Sequence, residues 1–313
     1  MSEWDIIARY AYDLGEVRQD VLCGPGDDAA VCQVPAGQSI VTSIDTLISG
    51  CHFLPQWDPY GIGQYAMAVN LSDLAAMGAR PAWALLSLAL PEVDSDFLSG
   101  LSAGIDQMAH AYGVQVVGGD TVSGPLSLSI TVMGFADPAF VLKRSGANPG
   151  DYICVTRALG GPGFALAHYE DAVSQARAVL SVTPEIAAGQ CLVGTATACI
   201  DLSDGLAGDL GHVCRQSGCG AQIDLGALPL DPALSVLPRS AQWELALCGG
   251  GEYGLCFTVP PAAYSGLKDQ LESVGSACHH IGCMQAGDPV IHYYTPTGEA
   301  YALQKQAYVH FQS

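Results

Sequence analysis

The chain has 313 residues, half of them apolar, and a net charge of -20 from 31 Asp and Glu against 11 Lys and Arg. Such an acidic chain is a poor partner for nucleic acid or an anionic membrane surface, because both carry negative charge themselves. No apolar run of about 18 residues indicates a membrane-spanning helix, and the acidic N-terminus lacks the pattern of a signal peptide, so we expect a cytoplasmic protein.

Apolar periodicity and turn residues predict an α/β (α+β) chain with two domains, residues 1–140 and 141–313, joined at the turn-rich stretch 138–150. In the first domain the pattern predicts helices over 4–14, 61–78 and 95–112, strands at 31, 39–45, 82–90, 114–121 and 126–135, and a loop over 46–53. In the second domain it predicts helices near 164–180, 185–194, 241–247 and 261–274, a strand running into a helix over 198–216, and strands over 152–156, 254–259, 278–283, 289–294 and 300–304.

Aspartates recur where predicted strands end. Asp28 follows a Gly-Pro-Gly turn and a first aspartate, Asp45 closes a β-branched strand, and Asp120 follows two glycines. Further aspartates are Asp73, inside an apolar helix, and the pair Asp201 and Asp204. Each one alone is explained as a helix cap or turn residue. Together they are better explained by Mg²⁺ ions that carry phosphate groups, because Mg²⁺ prefers oxygen ligands.

Other sites that can be identified from sequence are missing. The chain has no P-loop, no Gly-x-Gly-x-x-Gly fingerprint after a strand, no protein-kinase signature set and no Gly-x-Ser-x-Gly elbow. Most of the twelve cysteines lie in apolar runs, where we expect small buried hydrophobes. Residues 278–283, Cys-His-His-Ile-Gly-Cys, loosely suggest zinc, but no second cysteine pair completes four ligands, and a short strand is the better interpretation.

Several stretches resemble the thiamine-monophosphate kinase family, within the aminoimidazole ribonucleotide synthetase-like superfamily. The longest is residues 68–79, Ala-Val-Asn-Leu-Ser-Asp-Leu-Ala-Ala-Met-Gly-Ala, and the similarity extends over almost the whole chain. The others are Gly26-Asp27-Asp28-Ala29-Ala30, Asp45-Thr46-Leu47, Gly50-Cys51-His52-Phe53, Gly118-Gly119-Asp120-Thr121, Arg144-Ser145-Gly146-Ala147, Pro149-Gly150-Asp151 and Ile200-Asp201-Leu202-Ser203-Asp204-Gly205-Leu206.

The resemblance implies an ATP-dependent enzyme that transfers the γ-phosphoryl group onto the phosphate of thiamine monophosphate, giving thiamine diphosphate and ADP. It implies a two-domain aminoimidazole ribonucleotide synthetase-like fold, in which the N-terminal domain binds metal and ATP and its strands form a barrel between the subunits of a homodimer. The C-terminal α/β domain completes the substrate site. Several Mg²⁺ ions and ATP are the implied cofactor and co-substrate, and direct in-line transfer needs no enzyme nucleophile.

The resemblance also implies roles for individual residues. The family's metal-binding positions fall on Asp28, Ser43, Ile44, Asp45, Asp73, Asp120, Asp201 and Asp204, where Ile44 replaces a common Thr. The catalytic positions among them are Asp28, Asp73, Asp120 and Asp204. The ATP-binding positions fall on Gly119, Asp120, Arg144 and Ser203, and a substrate position on His52. Glu252 and Tyr308 are the further candidate substrate residues.

The chain departs from the family pattern on the substrate side. Residues 249–255 read Gly-Gly-Gly-Glu-Tyr-Gly-Leu where the family shows Gly-Gly-Glu-Asp-Tyr-Glu-Leu, so Glu252 is expected to replace the acidic contact that falls on Gly251. Residues 181–185 read Ser-Val-Thr-Pro-Glu instead of Arg-Pro-x-Pro-Arg. Tyr308, in an altered closing segment, is either a stacking face for the thiamine rings or a core tyrosine. Two alternatives therefore stay open: a related ATP-dependent enzyme with another phosphate or acid acceptor, and a catalytically inactive nucleotide-binding paralogue.

Overall fold

The structure, a computed structural model, describes residues 2–305, which divide into two compact units. The first unit takes in the chain up to residue 74 together with residues 79–139 and 171–183. The second unit takes in residues 75–78 and 140–170 and the chain from residue 184 onward. Residues 171–183 therefore pack with the first unit, although they follow the predicted boundary at residue 140.

Helices are distributed through both units of the described chain. In chain order they are α1 (Glu3–Tyr10), α2 (Pro59–Ala76), α3 (Ser95–Ala111), α4 (Gly161–His168), α5 (Ala172–Leu180), α6 (Ile186–Leu192), α7 (Leu206–Ser217), the short 3₁₀ helix η1 (Pro232–Val236), α8 (Arg239–Cys248) and α9 (Pro261–Ser273). No helix in the described part of the chain is long and apolar enough to span a membrane.

Strands alternate with these helices, which confirms the predicted mixed α/β class. They are β1 (Val21–Cys23), β2 (Val31–Cys32), β3 (Ser39–Ile48), β4 (Arg80–Leu90), β5 (Gln115–Ser123), β6 (Ser127–Ala136), β7 (Tyr152–Val155), β8 (Ala198–Asp201), β9 (Gly220–Asp224), β10 (Leu255–Val259), β11 (His279–Gln285), β12 (Ile291–Tyr294) and β13 (Ala300–Tyr301).

The first unit is built around a four-stranded sheet with the order β3-β6-β4-β5. Only the pair β4 and β5 is parallel; β3 and β4 each run antiparallel to β6. Helix α2 is apolar through most of its length, and Ile62, Met67 and Leu71 in it are completely buried. Because side chains alternate along a strand, β3 can meet α2 with one face and present Ile40 and Ile44 on the other. Alternate residues of β3 therefore have different surroundings: one set faces α2, and the other set, which includes Ile40 and Ile44, faces away from it.

The second unit is built around a seven-stranded mixed sheet with the order β13-β12-β9-β11-β7-β10-β8. Its core includes Ile153 of β7, Ile200 of β8, Leu210 of α7 and Ile223 of β9, all nearly or fully buried. Strands β8 and β10 pair antiparallel at one edge of the sheet. The residues that follow β8 and precede β10, where Asp204 and Glu252 lie, are therefore held side by side.

Some predicted elements differ from the observed ones. Residues 46–48, predicted as loop, continue β3, because their main chain pairs with β6 as far as Ile48. The predicted helix over 164–180 is two helices, since α4 ends at His168 and Asp171 starts α5 by accepting a hydrogen bond from the Ser174 N–H at 2.8 Å. Strands β1 and β9 were not predicted.

Candidate active site

A polar contact joins β3 to α2 in the first unit. The Ser43 hydroxyl donates to the Asp73 carboxylate at 2.5 Å, and the Asp45 N–H donates to the Asn70 side-chain oxygen at 2.9 Å. Asn70 is 1% exposed, and its amide nitrogen donates to the Ala66 carbonyl one turn earlier. Ser43 and Asp45 lie two residues apart on one strand face, while Asn70 and Asp73 lie three apart on one helix face. The two periodicities therefore bring three predicted metal positions together.

The other predicted metal and ATP positions of the first unit lie around a cavity of about 870 Å³. Asp28, Ile44, Gly119 and Asp120 all line it. Ile44 faces the cavity because it alternates with its two neighbours on β3, which face α2. Its side chain is 60% exposed and offers no donor atom, so only its main chain is able to bind a cation. Asp28 and Asp120 are both exposed on the cavity wall.

Gly119 marks a close approach of β5 to β4. The Cβ atom of any other residue there would lie 1.8 Å from the Leu86 carbonyl oxygen. Only glycine therefore fits without separating the two parallel strands. Asp120, the next residue, lies opposite Ser87 in the same pairing, so the register of β5 on β4 sets where its carboxylate is held.

Three carboxylates lie close together at the start of α7 in the second unit. Asp201 ends β8 and is 5% exposed, and the Asp204 N–H donates to the Asp209 carboxylate at 3.2 Å. Burial, followed by the negative charges of Asp201 and Asp204, raises the pKa of Asp209 to about 8. This crowding indicates that the group is suited to a cation.

The glycine-rich segment 249–254 supports the residues that follow β8. The Gly251 N–H donates to the Ser203 carbonyl and the Tyr253 N–H to the Leu202 carbonyl, both at 2.8 Å. In return the Leu202 N–H donates to the Gly254 carbonyl at 2.8 Å. Ser203 is thus held through its main chain, which leaves its hydroxyl group outside these contacts.

Glu252, a predicted substrate residue, is 4% exposed. Its Oε1 atom accepts a hydrogen bond from the Gly160 N–H at 2.7 Å, and burial raises its pKa to about 7. Within the described chain its Oε2 atom has no hydrogen-bond partner. The carboxylate therefore braces the turn before α4 and is not presented to solvent.

Arg144 lies on the surface of the second unit, in a mixed group of charges. Its carbonyl accepts a hydrogen bond from the Ser217 hydroxyl at 3.4 Å. Burial lowers the pKa of His212, and the positive charges of Arg215 and Arg144 add to the effect, while Asp204 opposes it. Arg144 and Arg215 therefore both lie near His212, on the same unit as Asp204.

His52 lies in the turn that ends β3. The Ile48 N–H donates to its Nδ1 atom at 3.0 Å, so the ring accepts at Nδ1 and is able to donate from Nε2. Tyr308 lies outside the described residues.

The predicted metal positions are divided between the two units. Asp28, Ser43, Ile44, Asp45, Asp73 and Asp120 belong to the first unit, and Asp201 and Asp204 to the second. Within residues 2–305 no three His, Cys, Asp or Glu side chains are arranged to hold a metal ion. The chemistry of the donors nevertheless fits Mg²⁺, because every side-chain donor in the set is an oxygen.

The segment Cys278–Cys283, which loosely suggested zinc, belongs largely to β11, and all twelve cysteines are free thiols.

Two residues of interest were not predicted from the sequence. Asp209 lies five residues after Asp204, in the first turn of α7. An acidic residue in the first turn of a predicted helix is a sequence signal that could have identified it. Arg157 reaches the 249–254 segment from β7, and no local pattern indicates that contact.

Comparisons with known proteins cover both units. A model of the AIR synthase related protein N-terminal domain matches residues 26–136, and a model of its C-terminal domain matches residues 148–294. A thiamine-monophosphate kinase from Escherichia coli K12 is 42% identical over 322 aligned residues, which cover 99% of this chain and 98% of that protein.

Solved structures agree with the sequence comparison. The crystal structure of thiamine-monophosphate kinase from Stenotrophomonas maltophilia K279a matches with a TM-score of 0.83 and 38% identity, over 91% of this chain and 93% of that one. AaThiL, solved in complex with AMPPCP and TMP, matches with a TM-score of 0.76 and 27% identity over 89% of each chain. The chain therefore belongs to the AIR synthase related family and, within it, to the thiamine-monophosphate kinases.

Proposed function

We propose that the protein transfers the γ-phosphoryl group of ATP onto the phosphate of thiamine monophosphate, which yields thiamine diphosphate. The observation that carries this proposal is the 42% identity with a thiamine-monophosphate kinase over 99% of the chain. An identity that extends through both units supports the proposal more strongly than a match to one unit, because the predicted site residues are divided between the two units. The AaThiL complex holds an ATP analogue together with TMP, which supports the same pair of substrates here.

The cation partner of the proposed reaction is Mg²⁺. In the first unit, Asp28, Asp45, Asp73 and Asp120 would hold it, with Ser43 and the main chain of Ile44. In the second unit, Asp201 and Asp204 would do so. Bound Mg²⁺ supplies charge neutralisation on the β- and γ-phosphate oxygens.

The protein's own groups bind and orient the two phosphates. Arg144 is exposed and positively charged, so it is suited to a nucleotide phosphate. Gly119 is exposed on the cavity wall, where its main chain is able to contact a nucleotide, and the Ser203 hydroxyl is available as a donor. In-line transfer between two phosphates needs no covalent enzyme intermediate, so orientation and charge stabilisation account for most of the catalysis.

We also propose that two copies of the chain form a homodimer through the sheet of the first unit, with a barrel formed by both sheets. Strand β3 is ten residues long and lies at the sheet edge. Its Ile40, Ile44 and Ile48 side chains are 47%, 60% and 44% exposed. A long edge strand with exposed isoleucines favours pairing with another chain, because that buries apolar surface and satisfies the strand's main chain.

A different phosphate acceptor is the second candidate, and one observation favours it. Gly251 occupies the position of the family's acidic substrate contact, and Glu252 is buried against Gly160. The φ angle of Gly251 is 81°, and a Cβ atom there would lie 3.2 Å from Pro162, so an acidic side chain is strained at this position. His52 and, from sequence alone, Tyr308 are the substrate contacts that we retain in the proposal.

One assay separates these candidates. Purified protein is incubated with ATP, Mg²⁺ and thiamine monophosphate, and thiamine diphosphate is quantified by chromatography. We expect stoichiometric formation of thiamine diphosphate and ADP. Nucleotide binding with no thiamine diphosphate would refute the proposed acceptor and favour either another acceptor or an inactive paralogue, which a screen of other phosphate and acid acceptors would distinguish.

A further inference from the structure

Arg157, the second residue after β7, joins two segments of the second unit that are distant in sequence. Its Nε atom donates to Glu185 Oε1 at 2.8 Å, and its Nη2 atom lies 2.7 Å from the same oxygen. Its Nη1 atom donates to the Glu252 carbonyl at 2.8 Å. One guanidinium group therefore ties the start of α6 to the glycine-rich segment 249–254.

The pair is itself held in place. The second oxygen of Glu185, Oε2, accepts a hydrogen bond from the Ser276 hydroxyl at 3.0 Å. The side chains of Arg157 and Glu185 are only 25% and 11% exposed. A half-buried ion pair with additional hydrogen bonds is oriented more strictly than a pair on the open surface, where most ion pairs contribute little.

Gly254 is matched to the stem of Arg157. A Cβ atom at position 254 would lie 2.5 Å from Arg157 Cγ and 2.8 Å from Cδ. The arginine stem therefore fills the space that a side chain at 254 needs. Glu185 and Gly254 are also two positions at which the chain departs from the family pattern, and Arg157 contacts both, so these departures form one local unit.

The segment that Arg157 holds is the one that supports Ser203. The Gly251 and Tyr253 N–H groups donate to the carbonyls of Ser203 and Leu202. Glu252 lies between Gly251 and Tyr253, so its carbonyl, which Arg157 holds, is one residue from each of the two N–H groups that support the main chain at Ser203 and Leu202.

We propose that Arg157, through its ion pair with Glu185, is a positioning residue that fixes the Ser203–Asp204 turn for nucleotide binding. This inference depends on the proposed function, because Ser203 and Asp204 have their nucleotide and metal roles only there. Arg157 itself acts through the main chain of residues 249–254 and needs no contact with a substrate. The departures from the family pattern at positions 185 and 254 are then compatible with an intact Ser203–Asp204 turn, and they are no evidence against catalytic turnover.

The test compares nucleotide affinity with stability. Arg157→Ala, Arg157→Lys and wild type are titrated with Mg²⁺ and a non-hydrolysable ATP analogue by calorimetry, well below their melting temperatures. We expect Arg157→Ala to weaken binding by about tenfold, equivalent to about 1.4 kcal/mol. Arg157→Lys should recover part of the loss, because one ammonium group is able to replace only part of the forked contact. The KM for ATP should rise while the KM for thiamine monophosphate stays unchanged.

A core truncation serves as the matched control. Ile223 is completely buried in β9, which is separated from β10 by β11 and β7. Ile223→Ala should lower the melting temperature and leave nucleotide affinity unchanged. If Arg157→Ala binds the analogue as tightly as wild type, or if Ile223→Ala weakens binding equally, the positioning role is overturned.

A double-mutant cycle tests the contact at Gly254. Gly254→Ala should lower the melting temperature of the wild type and have little effect in Arg157→Ala, because the clashing stem is then absent. Equal losses in both backgrounds would overturn the proposed match. A wild-type protein that binds nucleotide but makes no thiamine diphosphate would refute the proposed acceptor and leave the Arg157 titration decisive, whereas one that binds no nucleotide would overturn both proposals.

Discussion

The close approach of β5 to β4 is expected to make the substitution Gly119→Ala destabilising. The new Cβ would lie 1.8 Å from the Leu86 carbonyl oxygen, whereas at Gly118 the nearest atom is Leu85 Cδ2 at 3.4 Å. Replacing glycine by alanine stabilises a compatible site by about 0.4–1 kcal/mol through the unfolded chain. Overpacking costs about 1–3 kcal/mol or more, and at 1.8 Å from a main-chain oxygen that cost exceeds the gain. We expect Gly119→Ala to destabilise the protein and Gly118→Ala to be close to neutral.

Thermal unfolding and nucleotide titration together test this difference. A loss of about 1–3 kcal/mol lowers the melting temperature by roughly 2–12 °C for a unit of this size. Separating the strands also displaces Asp120, so nucleotide affinity in the presence of Mg²⁺ should fall in Gly119→Ala and not in Gly118→Ala. Equal melting temperatures for the two variants would refute the argument from close approach.

Three further predictions concern other parts of the molecule. Asp73→Asn, which weakens the contact with β3 and removes a proposed metal ligand, should lower turnover by about 100-fold or more, while the exposed turn variant Asp137→Asn stays active in the same assay. Burial raises the pKa of Glu252 from 4.5 to about 7, so the folded state retains a proton that the unfolded state releases, and stability falls as pH rises through this range. Glu252→Gln should flatten that fall in urea midpoints measured between about pH 5 and about pH 8, and an unchanged slope would contradict the assignment. Ile40→Lys should convert a dimer to a monomer by light scattering, whereas Val236→Lys, at a 77% exposed position of the second unit, should not.

Much of the fold follows from local patterns. Helix α2 and strand β4 were predicted to within a few residues, because long apolar runs bounded by turn residues leave few alternatives. Strand β9 was missed because its pairing with β11 and β12 involves residues about 60 to 70 positions later, which no short window contains. The break between α4 and α5 depends on one aspartate cap inside a stretch that otherwise has helical character.

The residue types of the candidate site could be predicted from the sequence, but the contacts and the burial of those side chains could not. Aspartates after apolar runs and inside an apolar helix were visible in the sequence, but the prediction that Asp45 and Asp120 end strands was wrong, because β3 and β5 continue past them. The contact between Ser43 and Asp73 required the packing of α2 on β3, which periodicity alone does not give. Glu252 shows the same limit, because its hydrogen-bond partner Gly160 is 92 positions away and no local pattern indicates that contact.

The return of residues 171–183 to the first unit bears on how the chain is synthesised. Leu180 of α5 packs on α2, where a Cβ atom at Gly61 would lie 3.1 Å from its Cδ1. Domains generally fold in order as they leave the ribosome. Here the N-terminal unit lacks one of its own helices until more than half of the chain has been made. A fragment that stops at residue 140 is therefore an incomplete unit, and we expect it to expose the part of α2 that Leu180 covers in the whole chain.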